Sequence, residues 1–133
     1  RYEGDFHFSE IEGTGIMTYP DESRYEGEFK HGKRNGRGKL LLAEGKEYEG
    51  DFRDDKPNGV GIVKVDGTVY RGEIKEGFRH GKGSFTTGDG SRYLGHWKHG
   101  KRHGLGVAYD ANGSIMFKGL WQDDLAVPDS FLP

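Results

Sequence analysis

Apolar and polar positions alternate along this chain in short bursts. In "YEGEF" (Tyr25 to Phe29), Tyr25, Gly27 and Phe29 face one way and Glu26 and Glu28 the other, the period of a half-buried strand. The same phrase returns as "YEGDF" at Tyr2, "YEGDF" at Tyr48, "YRGEI" at Tyr70, "YLGHW" at Tyr93 and "FKGLW" at Phe117, with starts 23, 23, 22, 23 and 24 residues apart. A Gly-x-Gly falls between successive copies: Gly13/Gly15, Gly36/Gly38, Gly59/Gly61, Gly81/Gly83 and Gly104/Gly106. A third signal follows, a turn such as "DGT" (Asp66 to Thr68), "DGS" (Asp89 to Ser91) or "NGS" (Asn112 to Ser114). A period of this length along the whole chain marks a repeat architecture.

Each unit parses as two short strands. The first is the alternating phrase, a longer loop follows, and Gly-x-Gly opens the second strand, as in "IVKV" (Ile62 to Val65). A short glycine turn then returns the chain. Nothing has a helical period. The prediction is an all-β protein: a single-layer, elongated, twisted antiparallel meander of about eleven strands, built from hairpin repeats of roughly 23 residues. The units are 1–24, 25–47, 48–69, 70–92 and 93–116, with a terminal half-unit at 117–133. Arg1 already lies inside a repeat, so the expectation is a piece of a longer protein, and "VPDSFLP" reads as a natural tail.

Composition sharpens this picture. The chain has 24 glycines in 133 residues, only 32% hydrophobic residues, yet 13% aromatics. So many glycines need a structural purpose, because each one loses more entropy on folding than any other residue. A strand glycine leaves a gap on the sheet face that a large ring from a neighbouring strand can cover. Stability then comes from rings over glycines and from stacking of units, rather than from a second layer. A net charge of −2 gives no overall pull toward nucleic acid, so any basic function is local. With no cysteine, no signal peptide and no apolar run long enough to span a bilayer, the expected setting is cytoplasmic.

The pattern Y-x-G-x-[FW]-x-x-G-x-x-x-G-x-G resembles the MORN repeat (membrane occupation and recognition nexus), in five full units and a final half. The resemblance implies an open single sheet with a groove lined by the repeat aromatics, in which several members hold partner segments. It also implies membranes, through the family's name. A chain of nearly pure repeats is most similar to the cytoskeletal MORN scaffolds of protozoan parasites, which implies cytoskeletal association. Departures are visible: Phe8 to Glu12 lack the expected loop glycine, unit three reads "RDDKPNG", and no Gly-x-Gly follows Trp121.

Several residue sets are candidates for function. Tyr25, Phe29, Tyr48, Phe52, Tyr70, Tyr93 and Trp97 would line the partner groove, and they are equally what internal packing over glycine requires. The tail either folds back over the last strand or meets its copy in another chain. In the second case Phe117, Trp121, Leu125, Val127, Phe131 and Leu132 form a closed two-fold homodimer contact. Two basic clusters expected in loops, Lys30, Lys33, Arg34 and Arg37, and Lys98, Lys101 and Arg102, offer an alternative. They could hold phosphoinositide headgroups and make the protein membrane-peripheral. Against that stand Glu3, Asp5, Glu26, Glu28, Glu49, Asp51 and Glu73, which would repel an anionic surface.

His80, His99 and His103 invite a metal, but repeat register puts them at slots that accept several polar residues, so no metal is expected. There is no phosphate loop, no G-x-S-x-G and no H-E-x-x-H, and the carboxylates recur at exposed positions instead of converging. The expectation is a non-enzymatic scaffold or protein-interaction module. It would need no cofactor, and its partners would be itself and a cytoskeletal or other protein, with phosphoinositides as the alternative.

Overall fold

A computed structural model describes residues 1–130. They form one antiparallel sheet of 12 strands in chain order, without crossovers. The strands are β1 (Tyr2–His7), β2 (Glu10–Thr18), β3 (Arg24–Lys30), β4 (Lys33–Leu41), β5 (Glu47–Arg53) and β6 (Lys56–Val65). They continue as β7 (Thr68–Lys75), β8 (Phe78–Thr86), β9 (Arg92–Lys98), β10 (Lys101–Tyr109), β11 (Ile115–Gln122) and β12 (Leu125–Ala126). The single-layer meander is therefore as predicted. The twelfth strand is the two-residue β12, which pairs Ala126 with Trp121 and Leu125 with Gln122. A 3₁₀ turn at Pro128–Ser130 follows it.

The connection expected as a longer loop is a tight two-residue turn. In unit two Lys30 pairs directly with Lys33, so only His31 and Gly32 turn the chain, both with positive φ (52° and 77°). The second strand thus starts at Lys33, ahead of the Gly-x-Gly, and the basic residues lie in strands rather than loops. The surplus length is absorbed in a bulge. Between the Phe29–Arg34 and Gly27–Gly38 pairs, β3 spends one residue, Glu28, where β4 spends Asn35, Gly36 and Arg37. The same offset recurs in every unit from β1–β2 to β9–β10.

The two glycines of Gly-x-Gly answer different needs. Gly36 sits in the bulge at φ 95°, a backbone that side chains disfavour. Gly38 has ordinary backbone, but a Cβ there would run into the Tyr25 ring. Tyr25 lies flat over Gly27 and Gly38 and donates its hydroxyl proton to the Glu28 carbonyl at 2.7 Å. Tyr2, Tyr48, Tyr70 and Tyr93 repeat that bond onto Asp5, Asp51, Glu73 and His96. The core is consequently a row of rings on one face, interrupted once by an isoleucine: Tyr25, Phe29, Tyr48, Phe52, Tyr70, Ile74, Tyr93, Trp97 and Trp121 are buried. They meet edge-on in a zigzag, with Tyr25 5.0 Å from both Phe29 and Phe52, and Tyr93 5.1 and 5.2 Å from Trp97 and Trp121.

Candidate functional site

The sheet has a ring face and a charged face, and the candidate residues divide between them. The partner-groove residues Tyr25, Phe29, Tyr48, Phe52, Tyr70, Tyr93 and Trp97 all lie in the buried ring row, so they form the floor of any groove rather than an open strip. Above that floor, at the C-terminal end, an open apolar depression of about 470 Å³ is lined by Phe85, Tyr109, Met116, Phe117 and Trp121 with Arg79 and Arg102. A second, of about 400 Å³, adjoins it at Val63, Tyr70, Ile74, Phe78 and Arg79. Burial raises the Tyr25, Tyr48, Tyr70 and Tyr93 hydroxyls to about 12, so these rings stay neutral.

Arg34 and Arg102, placed by sequence in basic loops, belong to the ring face. Arg34 donates its backbone N–H to Asp55 Oδ1 (2.8 Å) and its guanidinium to the Asp55 carbonyl (2.7 Å), while stacking 5.5 Å from the Phe52 ring. Arg102 makes the same set with Asp124 and lies 4.6 Å from Trp121. Arg79 fills the slot between them, bonded to the Gly100 carbonyl and 4.5 Å from Trp97. Burial pulls the Arg79 guanidinium below its ordinary value. These links join one unit's strand to the next unit's turn. The same step is made by backbone bonds from Gly32 to Ile11, Asp55 to Arg34, Gly77 to Pro57, Gly100 to Arg79 and Asp124 to Arg102. No sequence signal beyond the "DD" pairs that replace a turn glycine announces them.

The other basic candidates, Lys30, Lys33, Arg37, Lys98 and Lys101, lie on the charged face. Arg37 is bonded to Asp51 at 3.2 Å. Lys30 and Lys33 line a depression of about 360 Å³ with His31, Asn35, Arg53 and Asp54. The carboxylates of this face have a structural task that sequence reasoning missed. Asp5, Glu28, Asp51 and Glu73 each accept the backbone N–H in the bulge opposite, from Thr14 (3.0 Å), Arg37 (2.6 Å), Val60 (3.0 Å) and Lys82 (2.5 Å). The signal was the acid after the first-strand glycine in four successive units.

Of the metal candidates, His80 and His103 line one charged-face depression with His96, and His99 sits in a turn with its ring 6.2 Å from His80. Among the described residues, the group whose ligand atoms lie within 4.8 Å of one another is instead Glu10, Glu12 and His31. Those three lie near the surface, with His31 Nδ1 3.0 Å from Glu10.

At the C-terminal end the tail is pinned to β11. Val127 donates to the Leu120 carbonyl at 2.8 Å, Leu120 N–H donates to Ser130 Oγ at 2.8 Å, and the Ser130 carbonyl lies against Gly119 where the earlier units place a bulge carbonyl, such as that of Arg37 against Gly27. Of the expected dimer residues, Trp121 is buried, Phe117 and Val127 half-buried and Leu125 73% exposed, while Phe131 and Leu132 lie outside the described residues. No helix among the described residues is long and apolar enough to cross a membrane.

No curated protein matches the chain. The family model described as the MORN repeat matches residues 2–24, 25–46, 48–69, 70–92 and 93–115. Repeats of this kind generally mediate protein or membrane interactions. With five of them accounting for most of its length, and one ring-over-glycine hairpin in each, the chain belongs to the MORN-repeat family.

Proposed function

We propose that this protein is a non-enzymatic interaction scaffold that docks partner segments on its ring face and self-associates through its C-terminal units. The observation that carries the reading is the apolar depression between Phe85, Tyr109, Met116 and Phe117, floored by Trp97 and Trp121 and flanked by Arg79 and Arg102. Rings with their polar groups already bonded, as in Trp97 Nε1 to the Gly83 carbonyl (3.1 Å), present apolar surface without stranding a donor. Charged flanks then set orientation and salt dependence. Leu125, exposed beside a sheet edge covered by only two residues, is the natural start of a self-complementary contact. Cytoskeletal association follows the same reading.

The test is solution mass by light scattering over a wide concentration range. The expected mass is near twice 14.9 kDa, falling to the monomer in Leu125→Glu/Phe131→Glu. A wild-type monomer at every concentration removes self-association.

A second reading, phosphoinositide binding, is favoured by one observation, the Lys30–Lys33–Arg53 depression. It draws on fewer residues than the sequence suggested, since Arg34, Arg37 and Arg102 are already paired. Vesicles carrying phosphatidylinositol bisphosphate that sediment wild type but not Lys30→Glu/Lys33→Glu would support it.

A further inference from the structure

Equivalent positions in successive units serve as internal controls for one another. On the charged face one cross-strand row runs Glu3, Ile16, Glu26, Lys39, Glu49, Ile62, Arg71, Ser84, Leu94, Val107, Lys118. In units two and three it alternates charge, Glu26–Lys39–Glu49, as does its neighbour, Glu28–Arg37–Asp51. In units five and six the same slots hold Leu94 and Val107, and His96, Leu105 and Leu120. Leu94, Leu105 and Leu120 are 38%, 54% and 44% exposed. Nothing in the hairpin requires this change, because unit two folds the same way with charges at every one of these slots. Units one and three carry apolar residues only on their second strands, Ile16, Val60 and Ile62, each facing a charged first strand.

The charged side chains that line the patch are basic, and the nearest carboxylate, Glu73, stands at its edge with its oxygen taken up by the Lys82 N–H. Two adjoining depressions share His96 and Leu105. One, of about 580 Å³, adds His80, Lys98, His103 and Leu120. The other, of about 500 Å³, adds Lys82, Leu94 and Val107. Neither has a carboxylate in its lining, although carboxylates fill the equivalent slots at Glu26, Glu28, Glu49 and Asp51. His103 has its Nδ1 buried with no hydrogen-bond partner. A surface that is apolar at its centre and cationic at its rim selects a partner that is apolar and acidic.

We propose that the charged face of units four to six binds an acidic amphipathic peptide segment, its apolar side chains on Leu94, Leu105, Val107 and Leu120 and its carboxylates toward Lys82, Lys98 and the three histidines. The dimensions suit a short helix laid across the strands. From β9 to β11 is two strand spacings, roughly 10 Å, close to the rise between residues seven apart on a helix. The site is distinct from the ring-face groove, so its failure leaves that reading standing.

The experiment is a display selection of random peptides of about 16 residues, long enough for four helical turns, on the wild-type chain. Peptides that also bind Leu94→Glu/Leu105→Glu are depleted. Both leucines are solvent-exposed, and circular dichroism confirms that the variant keeps its sheet. The expected survivors are rich in Asp and Glu with spaced Leu, Ile, Phe or Met. A synthetic copy should bind the double variant at least about tenfold more weakly, and weaken again as salt rises from about 50 to about 500 mM. Survivors without acidic bias, or equal binding to both proteins, overturn the proposal. So does loss of binding in the groove variant Met116→Glu, which would move the peptide to the ring face. If instead phosphatidylserine vesicles bind wild type alone and no acidic peptide emerges, the patch is a membrane surface. If the double variant only halves the solution mass, the occupant is a second copy.

Discussion

Arg102 gives its backbone N–H and its Nε to the same oxygen of Asp124, at 2.8 and 3.2 Å, and its terminal nitrogen to the Asp124 carbonyl at 2.9 Å. Asp124 holds φ 72°, in the turn slot that units two, four and five give to glycine. The aspartate thus accepts a conformational cost in return for fastening β10 to the turn beyond β11. Replacing it by glycine frees the backbone and deletes the carboxylate. Both side chains are about a third or more exposed, so the ion pair itself contributes little. The expected loss for Asp124→Gly is about 1 kcal/mol, mostly from the Arg102 N–H left without its acceptor. Asp124→Ala should lose roughly 1 kcal/mol more, because alanine keeps the strain and lacks the carboxylate. Urea titrations of the two variants check the order.

Gly38 and Gly45 separate two reasons for glycine. Gly45 has φ 83° and open space around its missing Cβ, whereas Gly38 has unstrained backbone and the Tyr25 ring against it. That ring cannot swing aside, being tethered to the Glu28 carbonyl and wedged between Phe29 and Phe52. Gly38→Ala should cost about 3 kcal/mol by overpacking, and Gly45→Ala about 1 kcal/mol by conformation alone. Thermal melts of the pair distinguish them. Equal losses would mean that the ring does not depend on the gap.

Much of this was legible in the sequence, because Tyr-x-Gly-x-Phe states both the strand period and the ring-over-glycine packing in five residues. What misled was length. Lys33 to Asn35 read as loop ahead of the Gly-x-Gly, because Asn35, Gly36 and Arg37 exceed what a regular ladder pairs with Glu28 and a bulge has no hydrophobic signature. Once the bulge is placed, Arg34 pairs with Phe29 and its side chain must share the ring face. It then serves the core, not a basic loop. The link from Arg34 to Asp55 spans 21 residues and joins two units, so no reading confined to one repeat finds it. Part of the patch was available from sequence: aligning the copies on Tyr2, Tyr25, Tyr48, Tyr70 and Tyr93 shows Leu94 where Glu3, Glu26 and Glu49 stand.

The buried tyrosines make stability fall in alkali. Tyr25, Tyr48, Tyr70 and Tyr93 titrate near 12 in the fold, raised above the ordinary 10 chiefly by burial. A phenol that holds its proton more tightly when folded contributes its full stability below pH 10. Between pH 10 and 12 the unfolded chain binds fewer protons than the folded one, so stability declines as pH rises. Melting temperature should accordingly be insensitive to these groups up to pH 9 and drop steeply above 10. Tyrosinate absorbance should appear together with loss of the sheet. Absorbance rising fully near pH 10 with the fold intact would show the rings open to water.

His96 occupies the slot in which Asp5, Glu28, Asp51 and Glu73 accept a bulge N–H, and among the described residues no side chain takes that role for Leu105. His96→Glu would restore the acceptor, and the expected gain is about 0.5–1 kcal/mol, the net value of one hydrogen bond. The same carboxylate would stand in the middle of the cationic patch between Lys82 and Lys98, where it would repel an acidic partner. The variant should therefore melt higher and bind the selected acidic peptide more weakly. Opposite signs in the two measurements are what a residue kept for recognition at the expense of stability would give. A higher melting point with unchanged binding would place the peptide elsewhere. A lower one would mean that the histidine already satisfies the bulge through a contact of its own.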